Sequence, residues 1–68
     1  MTFKQFLTEQ RISYAVKLLE NTNLSITEIA LASGFNSVSY FLNVFKNKFN
    51  MSPKEYKQEL KKEIKNNS

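Results

Sequence analysis

The amino-acid sequence predicts an all-α domain of about four helices. Capping boxes mark three helix starts, because in each a hydroxyl residue is followed three positions later by Glu or Gln, so that side chain and backbone cap each other. The three boxes are Thr2 with Gln5, Ser25 with Glu28, and Ser52 with Glu55. Apolar residues then recur every three or four positions, which is the period of a helix. Pro53 strengthens the third start, since proline suits the first helical position.

The residue composition restricts the chemistry that the chain can perform. The 68 residues provide one small domain, and a hydrophobic content of 41% favours a folded chain. The sequence contains no Cys, His, Asp or Trp, which removes thiol nucleophiles, zinc clusters and Ser-His-Asp relays. We therefore expect that the chain is not an enzyme and that it holds no cofactor, no metal and no small-molecule ligand.

The positive charge of the chain lies at one end. Residues 1–45 carry three basic residues and three Glu, whereas residues 46–68 carry seven Lys and three Glu, which accounts for the whole net charge of +4. A basic region of this kind can be a footprint for the phosphates of a nucleic acid. It can equally be a solvated helix face with a basic tail. Charge alone leaves both interpretations open.

The first helix is predicted over about residues 3–20. Its expected inner stripe, at three- and four-residue spacing, comprises Phe3, Phe6, Leu7, Tyr14, Ala15 and Leu18. Ile12, Val16 and Leu19 widen this stripe, so we expect the helix to contact more than one neighbour. The polar run at 21–23 then ends the apolar pattern.

A short second helix is predicted over about residues 26–33, with Ile29 and Ala30 facing inward. Gly34 follows it. Glycine tolerates the positive φ that a sharp chain reversal at a helix end requires. Phe35 is expected to plug this turn.

The third helix is predicted to start at a cap on Asn36 or Ser37 and to end near Phe49. Its inner face has an aromatic stripe with Val38 beside it, namely Phe41, Phe45 and Phe49. Its opposite face is polar, small and partly basic, and comprises Ser39, Asn43, Lys46 and Asn47. Asn50 can take the left-handed conformation that ends a helix, and the fourth helix follows it.

A short helix, a tight turn with glycine and a longer helix form the helix-turn-helix unit. Residues 25–50 fit this order, and Ala30 supplies a small residue where the two helices cross. We therefore expect a homeodomain-like bundle. The second helix of such a unit enters the major groove of double-stranded DNA, so residues 37–49 are the expected recognition helix. The alternative is a helical protein-interaction module with little DNA binding of its own.

A membrane role is a weaker interpretation of the basic end. Tyr56, Leu60 and Ile64 form a stripe too narrow for binding at a membrane surface. The sequence has no apolar run of the length that a membrane span needs and no apolar signal core. We therefore expect a cytoplasmic chain that binds no membrane.

Two sets of residues also carry a resemblance to a known family. In the first helix they are Phe6-Leu7, Arg11-Ile12, Ala15 and Leu18-Leu19. Beyond it they are Ser25-Ile26, Glu28-Ile29-Ala30, Gly34-Phe35, Ser39-Tyr40-Phe41, Phe45-Lys46, Phe49, Ser52-Pro53 and Tyr56. In these residues the chain resembles the AraC/XylS family of bacterial transcription activators.

The resemblance implies a DNA-binding domain in which a long helix joins two helix-turn-helix units. It divides the chain into a linking helix from a preceding, absent unit (1–24), the second unit (25–50), and a C-terminal helix with a frayed tail (51–68). Residues 1–6 are similar in sequence to residues 51–56, and this internal repeat supports a preceding unit. The resemblance also implies RNA polymerase as a second partner.

The resemblance further assigns the DNA contacts. Base contacts are expected from Val38, Ser39, Leu42 and Asn43. Phosphate contacts are expected from Ser25, Thr27, Ser37, Lys46 and Lys48. Asn can bond adenine N6 and N7 together and Leu can pack on a thymine methyl, so an A·T-rich site is expected. Core packing remains the alternative for Leu42, a solvated position is the alternative for Asn43, and Arg11 can pair with an acid or touch DNA.

Overall fold

A computed structural model describes the backbone of residues 1–66 and the side chains of residues 1–62. Its four helices are α1 (Phe3–Asn21), α2 (Ile26–Ala32), α3 (Val38–Phe49) and α4 (Pro53–Asn66). The part of the chain described here contains no strand. The predicted all-α class and the number of helices are therefore confirmed. No helix among these residues has the length and apolar character needed to cross a membrane.

Each of the three predicted capping boxes is present. The backbone N–H of Gln5 donates to the Thr2 hydroxyl over 3.1 Å, and the Thr2 N–H donates to Gln5 Oε1 over 2.8 Å. Ser25 and Glu28 exchange the same two bonds, both of 3.1 Å, and Ser52 and Glu55 do so at 3.0 and 3.2 Å. These bonds satisfy N–H groups that a helix start leaves without a partner.

The buried core lies where α1, α2 and α3 meet. Its apolar members are Ile12, Ala15, Leu19, Ile29, Ala30, Phe35, Phe41 and Phe45. Phe41 and Phe45 are fully buried, with ring centroids 5.8 Å apart in an edge-on arrangement. Such aromatic pairs contribute about 0.5–1.5 kcal/mol beyond the burial of their area. The predicted inner stripe of α3 is confirmed for these two residues.

The predicted inner stripe of α1 is wrong at its aromatic positions. Phe3, Phe6 and Tyr14 are 76%, 48% and 50% exposed, whereas the residues that meet the core are Ile12, Ala15 and Leu19. Apolar residues surround this helix almost evenly, so their spacing could not decide which side faces inward. The small side chain of Ala15 marks the side on which other helices approach α1 closely. The expectation of several neighbours is confirmed, since α1 contacts α2, α3 and α4.

The fourth helix is attached to α1 and α3 through its first turns. The Tyr56 ring lies edge-on to Phe45 at 5.6 Å, and its hydroxyl donates to Glu20 over 3.1 Å. Lys57 Nζ donates to the backbone carbonyl of Thr22. The predicted stripe position Ile64 lies beyond the described side chains, and the end of the predicted frayed tail, at 67–68, lies outside the described residues.

Candidate nucleic-acid interface

The turn between α2 and α3 is fixed by its backbone. Ser33 caps the end of α2, its hydroxyl donating to the Ile29 carbonyl over 2.7 Å. Gly34 has φ +94° and donates its N–H to the Leu31 carbonyl, and the Phe35 N–H donates to the Ala30 carbonyl over 3.0 Å. A residue with a side chain rarely adopts this φ. The predicted glycine turn is therefore confirmed.

Side chains from α1 and α3 enclose this turn. A Cβ atom on Gly34 would lie 3.3 Å from Nε of Arg11, so the Arg11 side chain covers the glycine. Phe35 is 3% exposed and its ring centroid lies 5.1 Å from that of Phe41. Phe35 is therefore buried beneath the turn, as predicted. Ser37 caps α3 by accepting from the Tyr40 N–H over 3.3 Å, so the direction of α3 is fixed from its first residue.

The side of α3 opposite the buried Phe residues faces solvent. Spacings of three, four and seven residues put four side chains on this exposed face of α3, namely Ser39, Leu42, Asn43 and Lys46. Leu42 is 37% exposed, which is not the core position considered as its alternative. Within the described residues, the side chains of Asn43 and Lys46 form no hydrogen bond and no ion pair. Both can therefore bond to an external partner.

The carboxylates of Glu28 and Glu55 accept hydrogen bonds in the capping boxes of α2 and α4. The Ser25 backbone N–H, followed by the Ser25 hydroxyl, lowers the pKa of Glu28. The Ser52 backbone N–H, then the Ser52 hydroxyl, lowers the pKa of Glu55, and the charge of Lys46 adds a smaller contribution in the same direction. Both groups are ionised at neutral pH, so Lys46 has a negative neighbour at the start of α4.

The remaining predicted contacts are not all brought to this face. Val38 is partly buried against the core. Lys48 forms an ion pair with Glu9 of α1, and nine residues of helix separate it from Ser39 by about half a turn of angle. The structure therefore puts Lys48 on the α1 side of α3. The sequence offers no signal for this ion pair, since its two residues are 39 positions apart.

The predicted phosphate contacts at the two helix starts lie at the surface. Ser25, Thr27 and Ser37 are all exposed. The hydroxyls of Ser25 and Ser37 already accept backbone bonds as caps, although each hydroxyl can still donate one hydrogen bond. The net charge of residues 46–68 showed a basic end but not which lysines of α4 lie together. Their spacing along the helix was the signal that could have shown which of them share a face.

A short helix, a glycine turn and a longer helix with a free polar face define a helix-turn-helix domain of the DNA-binding type. A family model described as a helix-turn-helix domain matches residues 1–59. The xylose operon regulatory protein of Haemophilus influenzae is 45% identical over 56 residues, which are 82% of this chain and 14% of that protein. The TCP pilus virulence regulatory protein of Vibrio cholerae is 44% identical over 54 residues, 79% of this chain and 20% of that protein.

A solved structure gives the same result in three dimensions. A DNA-binding transcriptional dual regulator from Escherichia coli K-12 has a TM-score of 0.80 and 39% identity, over 87% of this chain and 53% of that chain. The chain belongs to the AraC/XylS family of helix-turn-helix regulators, and the resemblance found in the sequence is confirmed. It spans about a seventh to a fifth of the length of the two relatives named above.

Proposed function

We propose that the chain binds double-stranded DNA sequence-specifically, as part of a bacterial transcription regulator, with α3 in the major groove. The observation that carries this proposal is the exposed face of α3. It holds Asn43 and Lys46, whose side chains form no hydrogen bond to any other described residue, directly behind the fully buried Phe41 and Phe45. The buried rings fix the helix, and the polar side chains are left for a ligand. The relatives are named as regulators, which does not favour the interaction-module alternative.

The residues of the exposed face suit different parts of a DNA groove. Asn43 lies at the centre of this face and can bond adenine N6 and N7 together, while Leu42 can pack on a thymine methyl. Ser39, nearer the start of α3, can bond a base edge. Lys46 lies one turn beyond Leu42 and carries the charge that a phosphate attracts. The role assigned to Val38 is limited to its outer edge, because the rest of its side chain packs on the core.

Phosphate contacts on the other side of the groove fall to the helix starts. When α3 lies in the major groove, the first helix of the unit crosses the DNA backbone. Ser25 and Thr27 are exposed at the start of α2, and Ser37 is exposed at the start of α3. We assign no phosphate to Lys48, since Glu9 already holds it. The predicted contact with RNA polymerase stays a prediction.

The proposal includes a second helix-turn-helix unit upstream of α1. Phe3, Phe6 and Tyr14 share one side of α1 and are exposed, although aromatic side chains are usually buried. Together they form the aromatic face of α1. The solved relative from Escherichia coli is about 1.6 times as long as this chain, since the match covers 87% of this chain but only 53% of that one. We assign the aromatic face to packing against an upstream helix-turn-helix, with α1 as the linking helix.

Selection of sites from random duplexes tests the base-reading role. The unchanged chain should enrich a short A·T-rich motif, and Asn43→Ala should relax one position of it and weaken binding to the preferred site by about 1–3 kcal/mol. Asn21→Ala, an exposed Asn on α1, is the matched control and should return the same motif as the unchanged chain. Enrichment of one motif by all three proteins would contradict the role of Asn43. Failure of the unchanged chain to enrich any motif would contradict sequence-specific binding.

A further inference from the structure

The six lysines of the basic end whose side chains the structure describes have different surroundings. Lys48 is paired with Glu9 and Lys62 with Glu59, and Lys46 lies on the exposed face of α3. Three others share one side of α4 at spacings of three and seven residues, namely Lys54, Lys57 and Lys61. We call this side the lysine face. It does not overlap the exposed face of α3 and none of its members was assigned a DNA contact.

The lysine face borders a groove whose opposite wall is the chain entering α2. Residues 23–26 form that wall, with Gln58 between the lysines. Among residues 1–62, no carboxylate lines this groove. Lys54 and Lys61 form neither a hydrogen bond nor an ion pair among the described residues. Two unpaired ammonium groups therefore lie along one groove with no negative group between them.

Lys57 differs from its two neighbours. Its ammonium donates to the backbone carbonyl of Thr22 and is partly buried. This bond joins α4 to the segment before α2 and keeps the two walls of the groove together. Lys54 and Lys61 lie seven residues apart, which is about 10 Å along the helix axis. They are therefore held far enough apart to contact different phosphates.

We propose that the lysine face binds the DNA backbone beside the recognised site, adding about two phosphate contacts through Lys54 and Lys61. This inference rests on the proposed function. With α3 in the major groove, the start of α2 crosses the DNA backbone, and the groove bordered by residues 23–26 meets the same strand. Two ammonium groups with no carboxylate beside them among residues 1–62 favour a phosphate chain as the occupant of this groove.

The salt dependence of duplex binding tests the lysine face. For Lys54→Gln/Lys61→Gln, the slope of log K against log salt should become less steep by about 1.8, because each lost phosphate contact removes about 0.9. Affinity should fall roughly 10-fold or more at 0.15 M salt, on preferred and random duplexes alike. Lys57 is left unchanged because its bond to Thr22 supports the fold. Thermal unfolding of the double variant should match that of the unchanged chain.

A variant with the same net charge provides the control. Lys17→Gln/Lys62→Gln removes two charges from exposed sites outside the groove and should leave most of the slope intact. Phosphate ethylation interference adds a positional measurement. The double variant at 54 and 61 should lose interference at flanking phosphates of one strand and keep it at those contacted by Lys46.

The outcomes separate this inference from the proposed function. If Lys46→Ala weakens DNA binding while Lys54→Gln/Lys61→Gln leaves the slope and the interference pattern unchanged, the lysine face does not bind DNA and an acidic protein becomes its candidate partner. Equal slopes for the two double variants would also overturn the inference, because the effect would then be one of net charge. Absence of any duplex binding by the unchanged chain would instead contradict the proposed function.

Discussion

Two exposed surfaces of this small domain differ in composition, although both lie opposite the same core. The aromatic face of α1 exposes Phe3 and Tyr14 at 76% and 50%. The exposed face of α3 holds Asn43 and Lys46, which have no hydrogen-bonding partner among the described residues. Water solvates the second surface well and the first poorly. This difference supports the two partners proposed above, a protein surface for α1 and a nucleic acid for α3.

The largest expected effect comes from supplying the partner of the aromatic face. A longer version with a helix-turn-helix upstream of α1 should bind a two-part site about 10²–10⁴-fold more tightly than the 68-residue chain, because the second contact becomes intramolecular. Nineteen helical residues span about 28 Å, slightly short of the 34–36 Å between successive major grooves, and the width of each unit adds to this span. Footprinting should therefore show two protected grooves instead of one.

Variants of the aromatic face provide the control for this experiment. Phe3→Ser/Phe6→Ser in the longer version should lose part of the gain, because the upstream unit would no longer be held at a fixed distance. In the 68-residue chain the same pair should leave duplex affinity almost unchanged, since both side chains are exposed there. Equal footprints and affinities for the long and short versions would show that the 68 residues alone make all of the DNA contacts.

A substitution beneath the exposed face of α3 and one on the aromatic face of α1 should differ almost as strongly in their effect on stability. Phe45→Ala should destabilise the domain by about 3–5 kcal/mol, because it removes a fully buried ring. A domain of this size has a total stability of about that amount, so urea unfolding should find most of the variant unfolded. Phe3→Ala should change stability by no more than about 0.5 kcal/mol. Similar losses of stability in Phe45→Ala and Phe3→Ala would contradict the burial of Phe45 and the exposure of Phe3.

These two helices also show what the sequence could predict. The inner side of α3 was predicted because Phe41 and Phe45 stand four residues apart against a polar opposite face. In α1 the predicted stripe included Phe3 and Tyr14, because apolar residues surround that helix almost evenly and their spacing does not mark the inner side. The exposure of Phe3 and Tyr14 has no signal in the neighbouring residues of the sequence. The capping boxes and Gly34 were predictable because each depends on residues close in the chain.

Long-range contacts of the charged residues were not predictable in the same way. Lys46 and Lys48 are two positions apart, yet one lies on the exposed face of α3 and the other pairs with Glu9. Only the packing of α3 on α1 decides which lysine faces which helix. The resemblance to the family gave both residues the same role, and the structure separates their surroundings.

The two lysines therefore give a direct comparison on one helix. Lys46→Ala should make the slope of log K against log salt less steep by about 0.9, as expected for one lost phosphate contact. Lys48→Ala should leave the slope nearly unchanged, because its ammonium is held by Glu9. Titrations of a labelled duplex at several salt concentrations measure both. A loss of slope in Lys48→Ala equal to that in Lys46→Ala would restore the phosphate contact predicted for Lys48.

The smallest expected effect concerns the capping boxes of α1 and α2. The box of α1 uses the neutral Gln5, whereas the box of α2 uses Glu28, whose pKa is lowered mainly by the Ser25 N–H. A carboxyl with a lowered pKa in the folded state stabilises the fold above its unfolded pKa of about 4.3, and this contribution is lost as the pH falls through the folded pKa. The pKa of Glu55 is lowered in the same way.

The Tm of the unchanged chain should therefore fall more steeply below about pH 4.3 than that of Glu28→Gln/Glu55→Gln, whose boxes resemble that of α1. Glu9→Gln/Glu59→Gln removes the same number of charges outside the boxes, and an equal flattening of the Tm profile by this pair would assign the acid sensitivity to net charge and not to the caps.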